Sequence, residues 1–173
     1  MISFMRILAI DPGFGRMGVA VLESLAGEKV PLVRYSTCIT TNPKGALKDR
    51  LFSIGSELER IITAHSPQTL AIEKLFFAAN QKTALSVAEA RGVALYESAR
   101  RGLSVFEYTP LQIKTAVTGY GGAPKQQVAD MVMKLVRFAP QKGKTRARKI
   151  GDDEFDAIAT GITHLAYLHG YKR

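Results

Sequence analysis

Four acidic residues in this chain sit where chemistry accounts for them better than solubility does. Asp11 ends the apolar run Ile7-Leu8-Ala9-Ile10, and Glu73 ends Leu70-Ala71-Ile72. Runs of that kind suit strands buried on both faces, so each carboxylate is delivered at the end of a buried strand. An unpaired charge in such a place is costly; it must bind a cation, accept backbone N–H bonds from the turn, or reach solvent. The other two acids, Asp153 and Asp156, lie three apart in Gly151-Asp152-Asp153-Glu154-Phe155-Asp156-Ala157. On a helix they share one face of the first turn, with Asp152 placed to cap it. The helix dipole accounts for either acid alone, and less well for two on one face.

Apolar Ile158, Ile162 and Leu165 would dock that helix on a sheet and bring its first turn towards Asp11 and Glu73. Carboxylates gathered from separate elements repel one another unless cations hold them. Hard oxygen donors without a competing cluster of Cys or His select Mg²⁺, or Mn²⁺.

The elements that must position these acids are readable in outline. Ile7 to Ile10, Met17 to Leu22 and Leu32 to Thr41 form three strands, the first two joined by the abrupt turn at Pro12-Gly13. Gly13-Phe14-Gly15-Arg16-Met17-Gly18 fits the dinucleotide fingerprint literally. It leads into a strand rather than a helix, however, and no acid falls at the ribose-binding distance of about 20 residues, so a dinucleotide site is set aside.

Apolar residues at helical spacing predict a helix from Ala46 to Ala64, stopped by Pro67. A second helix, Asn80 to Arg101, is rich in small residues between Ala84 and Ala99 that would let another backbone approach. Further on come a strand at Leu103 to Tyr108, a helix opened by Pro110, the loop Gly119 to Pro124, a helix from Lys125 to Phe138, and a last helix from about Asp153 to Leu168. A three-strand antiparallel meander followed by alternating helices and strands makes a mixed-sheet α/β domain spanning 1–173.

The net charge is +9 with a pI near 9.8, favouring a polyanionic partner, nucleic acid before membrane. Gln141 to Ile150 holds Lys142, Lys144, Arg146, Arg148 and Lys149 without an acid, a run suited to sequence-independent phosphate contacts. A single cysteine, Cys38, leaves no internal disulfide framework and fits a reducing, intracellular setting. Arg6 interrupts the apolar start, so neither a signal peptide nor a membrane span is expected.

Ile10-Asp11-Pro12-Gly13, Ala71-Ile72-Glu73-Lys74-Leu75-Phe76, Glu89-Ala90-Arg91-Gly92-Val93-Ala94, Val105-Phe106-Glu107-Tyr108 and Asp153-Glu154-Phe155-Asp156-Ala157 together resemble the RuvC family of Holliday junction resolvases, in order over nearly the whole chain. The resemblance implies a ribonuclease H-like fold and a homodimer that resolves four-way DNA junctions by symmetrical nicks, as a cytoplasmic enzyme of recombination and repair. It also implies two divalent metals bound by four carboxylates, by position Asp11, Glu73, Asp153 and Asp156, and the RuvA–RuvB branch-migration complex as a partner. Lys114 and Lys125 occupy the places of two family lysines that contact DNA near the active site, and Phe76 that of an aromatic stacking on bases at the junction centre.

Phe77 joins Phe76 as a candidate, because two adjacent aromatics after an acid cannot easily both enter one core, and a stacked base gains about 1–3 kcal/mol. Two departures stand out: the basic segment 141–150 is longer than is usual in the family, and Asp152 adds an acid beside the expected pair. The rival readings are a junction binder that does not cut and a ribonuclease H-like nuclease acting on RNA or a hybrid.

Overall fold

The computed structural model describes residues 4–28, 30–75, 81–140 and 150–170. Strands β1 (Phe4–Asp11), β2 (Arg16–Leu25) and β3 (Leu32–Thr40) form the expected antiparallel meander. The glycine turn after Asp11 therefore leads into a strand, which removes the dinucleotide reading. β4 (Thr69–Glu73) pairs parallel with β1 on its free side, and β5 (Ser104–Tyr108) pairs parallel with β4 at the edge. A two-residue strand, β6 (Arg137–Phe138), closes the other edge parallel to β3, so the order is β5-β4-β1-β2-β3-β6.

The central strands are apolar on both sides because both sides are covered. On one face α1 (Leu47–His65) and α2 (Gln81–Arg100) pack over Leu8, Ile10, Met17, Val19, Val21, Leu70 and Ile72. On the other, α3 (Pro110–Thr118), α4 (Lys125–Leu135) and α5 (Asp152–Gly170) pack over Ile7, Ala9, Ala20, Leu22 and Ala71. Side chains alternate between faces along a strand, so Asp11, in step with Ile7 and Ala9, and Glu73, in step with Ala71, belong to the α3–α5 face.

That face mixes Ala9, Ala20 and Ala71 with Ile7 and Leu22, and α5 lies close against it. A Cβ on Gly161 would come within 2.6 Å of Leu22 Cδ1 and 3.1 Å of Ala9 Cβ. One on Gly18 would come within 1.9 Å of the Asp153 carbonyl oxygen, so the first turn of α5 rests directly on β2. Farther along α5, His164 is fully buried and shares a 2.8 Å hydrogen bond through Nδ1 with the Tyr108 hydroxyl, tying the edge strand to the helix. Burial pushes the His164 imidazole down to about 4, so it stays neutral near pH 7.

Two expectations need correction, and a third is refined. The helix starting at Lys125 ends at Leu135 rather than Phe138: Val136 is extended, and the next backbone groups join the sheet, Arg137 N–H donating to Pro31 O at 2.9 Å and Ala139 N–H to Val33 O at 2.9 Å. Asp152 does not cap α5, because Gly151 precedes the helix and Glu154 Oε1 reaches back to accept from the Gly151 N–H at 3.2 Å, leaving the Asp152 side chain in solvent. In α2 the small residues are divided, with Ala90 and Ala94 buried inside the chain and Gly92 and Ala99 exposed. No described helix is long and apolar enough to cross a membrane.

Gly18→Ala should force α5 off β2. Overpacking of this kind costs about 1–3 kcal/mol, roughly 2–12 °C of melting temperature for a chain of this size. An unchanged melting temperature would mean that the helix is not seated there.

Candidate active site

β1 and β4 run parallel with Ile10 opposite Ile72, so the residues one step on, Asp11 and Glu73, emerge side by side at the sheet's C-terminal edge. The end of β4 is fixed by Arg91 of α2, whose Nε donates to the Glu73 carbonyl at 3.3 Å while its guanidinium pairs with Glu107 of β5. After Asp11 the chain turns through Pro12–Gly15, and this turn is pinned from outside. Thr41 Oγ1 donates to Phe14 O at 2.8 Å, Thr41 N–H donates to Gly15 O at 3.1 Å, and the Arg50 guanidinium lies 3.6 Å over the Phe14 ring.

Across β1, Gly18 stands opposite Asp11, and because Gly18 has no side chain the first turn of α5 comes in beside that carboxylate. Asp156 then joins Asp11 and Glu73 in a cavity of about 320 Å³. Its walls carry Lys114 from α3 and Lys125, the first residue of α4, over an apolar floor that includes Ile113 and Val128. The turn before α4 sets Lys125 in place, with Ala123 buried and its N–H donating to Tyr120 O at 3.2 Å. Lys125 Nζ lies 3.0 Å from Asp156 Oδ2 and 3.8 Å from Asp152 Oδ2.

Asp153 is held differently. It does not line the cavity; its Oδ2 accepts from Arg16 Nε at 2.8 Å, from Arg16 Nη2, and from the Cys38 thiol at 3.5 Å, all on the β2–β3 side. The sequence reading gave Arg16 no role, since nothing local marks the acid it meets.

The electrostatics are those of a site short of positive charge. Burial, then the charges of Glu73, Asp156 and Asp153, raise the Asp11 carboxyl to about 8, with Lys125 opposing. Burial and Asp156 raise Glu73 to about 7 against the pull of Lys114. Burial also pushes Asp153 up, but the hydrogen bonds and charge of Arg16, with the Cys38 contact, outweigh it and leave this carboxyl below its ordinary value. Among the described residues neither the Asp11 nor the Glu73 carboxylate receives a hydrogen bond, and no three acids stand close enough to share one ion as they are arranged here. Half-buried, mutually repelling oxygen donors of this kind fit hard divalent cations, which would supply the missing charge.

Lys114 and Lys125 are therefore beside the acids, as expected. Phe76, Phe77, Lys142, Lys144, Arg146, Arg148 and Lys149 lie outside the described residues.

The raised acids predict a pH dependence in metal-free protein. Asp11 and Glu73 bind protons more tightly in the fold than in the unfolded chain. Stability is thus whole below the ordinary carboxylate range, is lost as pH rises towards 7 and 8, and levels off above. In EDTA, melting measured from about pH 5 to about pH 9 should fall more steeply for the wild type than for Asp11→Asn. Parallel curves would mean that Asp11 ionises normally.

The family model for crossover junction endodeoxyribonuclease RuvC matches residues 7–164. The chain is 41% identical over 163 residues to the RuvC of Finegoldia magna, covering 93% of each chain. It is 44% identical over 160 residues to that of Alkaliphilus oremlandii, covering 92% of each. The solved structure of Thermus thermophilus RuvC in complex with a Holliday junction substrate superposes with a TM-score of 0.83 at 28% identity, over 96% of each chain. A yeast mitochondrial Holliday junction resolvase shares the fold, with a TM-score of 0.67 at 13% identity. The mixed sheet flanked by five helices is accordingly a ribonuclease H-like nuclease fold, and the chain belongs to the RuvC family of crossover junction endodeoxyribonucleases.

Proposed function

We propose that this chain resolves four-way DNA junctions by paired symmetrical nicks, using two Mg²⁺ ions per site, with Mn²⁺ as a substitute. The observation that carries the reading is the meeting of Asp11, Glu73 and Asp156 in one cavity walled by Lys114 and Lys125. Three acids in the cavity, with Asp153 next to it, would oppose a protein that only binds DNA, since they repel the phosphate backbone unless cations are present. Asp11, Glu73, Asp153 and Asp156 would hold the ions, and Asp11 would serve both; its place in the sheet, next to Glu73 on one side and opposite Gly18 under α5 on the other, supports that allocation.

Held by these carboxylates, such a pair of ions would supply an activated water and positive charge to offset that on the attacked phosphate and the leaving oxygen. The chain's own residues do the rest. Asp11 and Glu73, half-buried at the ends of packed strands, fix where the donor oxygens are anchored, and the apolar residues around them limit water. Lys114 and Lys125 bind the phosphates flanking the cut. In so doing Lys125 exchanges Asp156 for phosphate, which frees that carboxylate. Phe76 and Phe77 would stack on bases at the junction centre, and the run from Lys142 to Lys149 would track a junction arm.

Two symmetry-related cuts need two sites, and a homodimer supplies them. The outer side of α2 supports the dimer: Leu85 and Tyr96 are 69% and 63% exposed, with exposed Gly92 and Ala99 on the same side. Family resemblance adds the RuvA–RuvB complex as a partner. The cytoplasm is the setting that a DNA substrate and a lone cysteine suit.

The test is nicking of a mobile four-way junction in Mg²⁺, with a linear duplex and an RNA/DNA hybrid beside it. Asp11→Asn and Asp156→Asn should each lower junction nicking by more than about 100-fold, beyond the loss of an outer-shell partner, while junction binding in EDTA survives. Asp152→Asn, whose side chain is 82% exposed, should remain active. Robust nicking by Asp11→Asn, or preference for the hybrid, would overturn the assignment. For the dimer, sedimentation at micromolar concentration should show two copies, and Tyr96→Glu should shift the protein towards monomer. A monomeric wild type would defeat the twofold reading.

A further inference from the structure

We propose that Arg16 is a positioning residue of the metal site: it holds the Asp153 carboxylate on the β2–β3 side, and a divalent cation takes that carboxylate by displacing the guanidinium. The inference rests on the reading that Asp153 is a metal ligand.

Both guanidinium contacts converge on one oxygen, Asp153 Oδ2, which the Cys38 thiol also meets at 3.5 Å. These donors come from the start of β2 and from β3, where Cys38 stands opposite Gly18. Asp11 and Glu73 lie on the opposite side, on β1 and β4. Asp153 thus has its backbone resting on Gly18, next to Asp11, while its carboxylate is turned away from the cavity. A guanidinium and a metal ion cannot both lie against the same carboxylate oxygen without repelling each other, so occupation by one is loss of the other.

The grip is of a strength that an ion can overcome. The Arg16 side chain is 61% exposed against 23% for Asp153, so water competes for the guanidinium, and a pair with one partner open to solvent is held less firmly than a buried one. The guanidinium also has solvent to swing into. A purely structural tether, holding the glycine turn to α5, predicts the opposite result on substitution: a less ordered Asp153 and weaker or unchanged metal binding.

The experiment is calorimetric titration of the full chain with Mn²⁺ in the absence of DNA, for wild type, Arg16→Gln, Arg16→Lys, Asp153→Asn and the Arg16→Gln/Asp153→Asn double variant. Arg16→Gln should bind Mn²⁺ about two- to fivefold more tightly, the weight of an exposed pair, with Arg16→Lys in between. In the Asp153→Asn background the Arg16 substitution should do nothing. Unchanged or weaker binding by Arg16→Gln, with Asp153→Asn weakened as a ligand loss requires, overturns the exchange alone. Wild-type binding by Asp153→Asn overturns the ligand assignment beneath it. Should Arg16→Gln melt in EDTA below the assay temperature, Arg16→Lys, which keeps the charge and loses the paired contact, decides the matter in the same direction.

Discussion

Like charges held together with little water around them are the strain on which the rest of this structure depends. Asp11 and Glu73 end neighbouring parallel strands with too little positive charge around them, and each gains protons as a result. A loop could not keep them there, because repulsion would move it. The two strands can, since they lie in the middle of a six-stranded sheet covered on both faces, and packed apolar side chains on either side resist displacement. Stability is thus generated over the whole sheet and given up locally at its C-terminal edge, where chemistry needs charge.

The cationic side chains temper this strain without abolishing it. Lys125 answers Asp156, Arg16 answers Asp153, and Lys114 acts on Glu73 from across the cavity. All three are attached to elements other than the strands bearing Asp11 and Glu73, so they can change partners while the sheet stays still. Such a division between fixed acids and movable bases suits a site whose ligands, metal and phosphate, arrive together with opposite charge.

Much of this was legible from residue order. Asp11 and Glu73 declared themselves because a carboxylate closing a β-branched apolar run has few physical explanations; Asp153 and Asp156 drew notice as two acids on one helical turn, but their carboxylates turn to different sides, Asp156 into the cavity and Asp153 onto Arg16. What escaped was set by partners distant in the chain. Arg16 meets an acid 137 residues away, and nothing near it says so. The cap of α5 depends on Glu154 turning back to Gly151, an option that Asp152 hid by looking like a better cap. β6 has two residues and exists only because β3 offers an edge. The small residues of α2 suggested close approach but not to what. Ala90 and Ala94 point inward and Gly92 outward, a division that spacing implies only once the buried face is known.

The sizes of the residues lining the sheet bear on how the chain finds its pairing. β1 and β4 are apolar on both faces, so sliding one past the other by a residue would expose no hydrophobic surface and bury no polar one until the ends are reached. Polarity, the usual guardian of strand alignment, is therefore silent through the centre of this sheet. Bulk speaks instead: in β4 and the adjoining part of β1, Ala71 and Ala9 point to the side where α5 lies close, whereas Leu70, Ile72, Leu8 and Ile10 point to the other. A slipped β4 would thrust a leucine or isoleucine under α5 and carry Glu73 to the far layer, away from Asp11. Correct alignment and a competent site are consequently one and the same event, and a misaligned chain announces itself through a helix that cannot lie down.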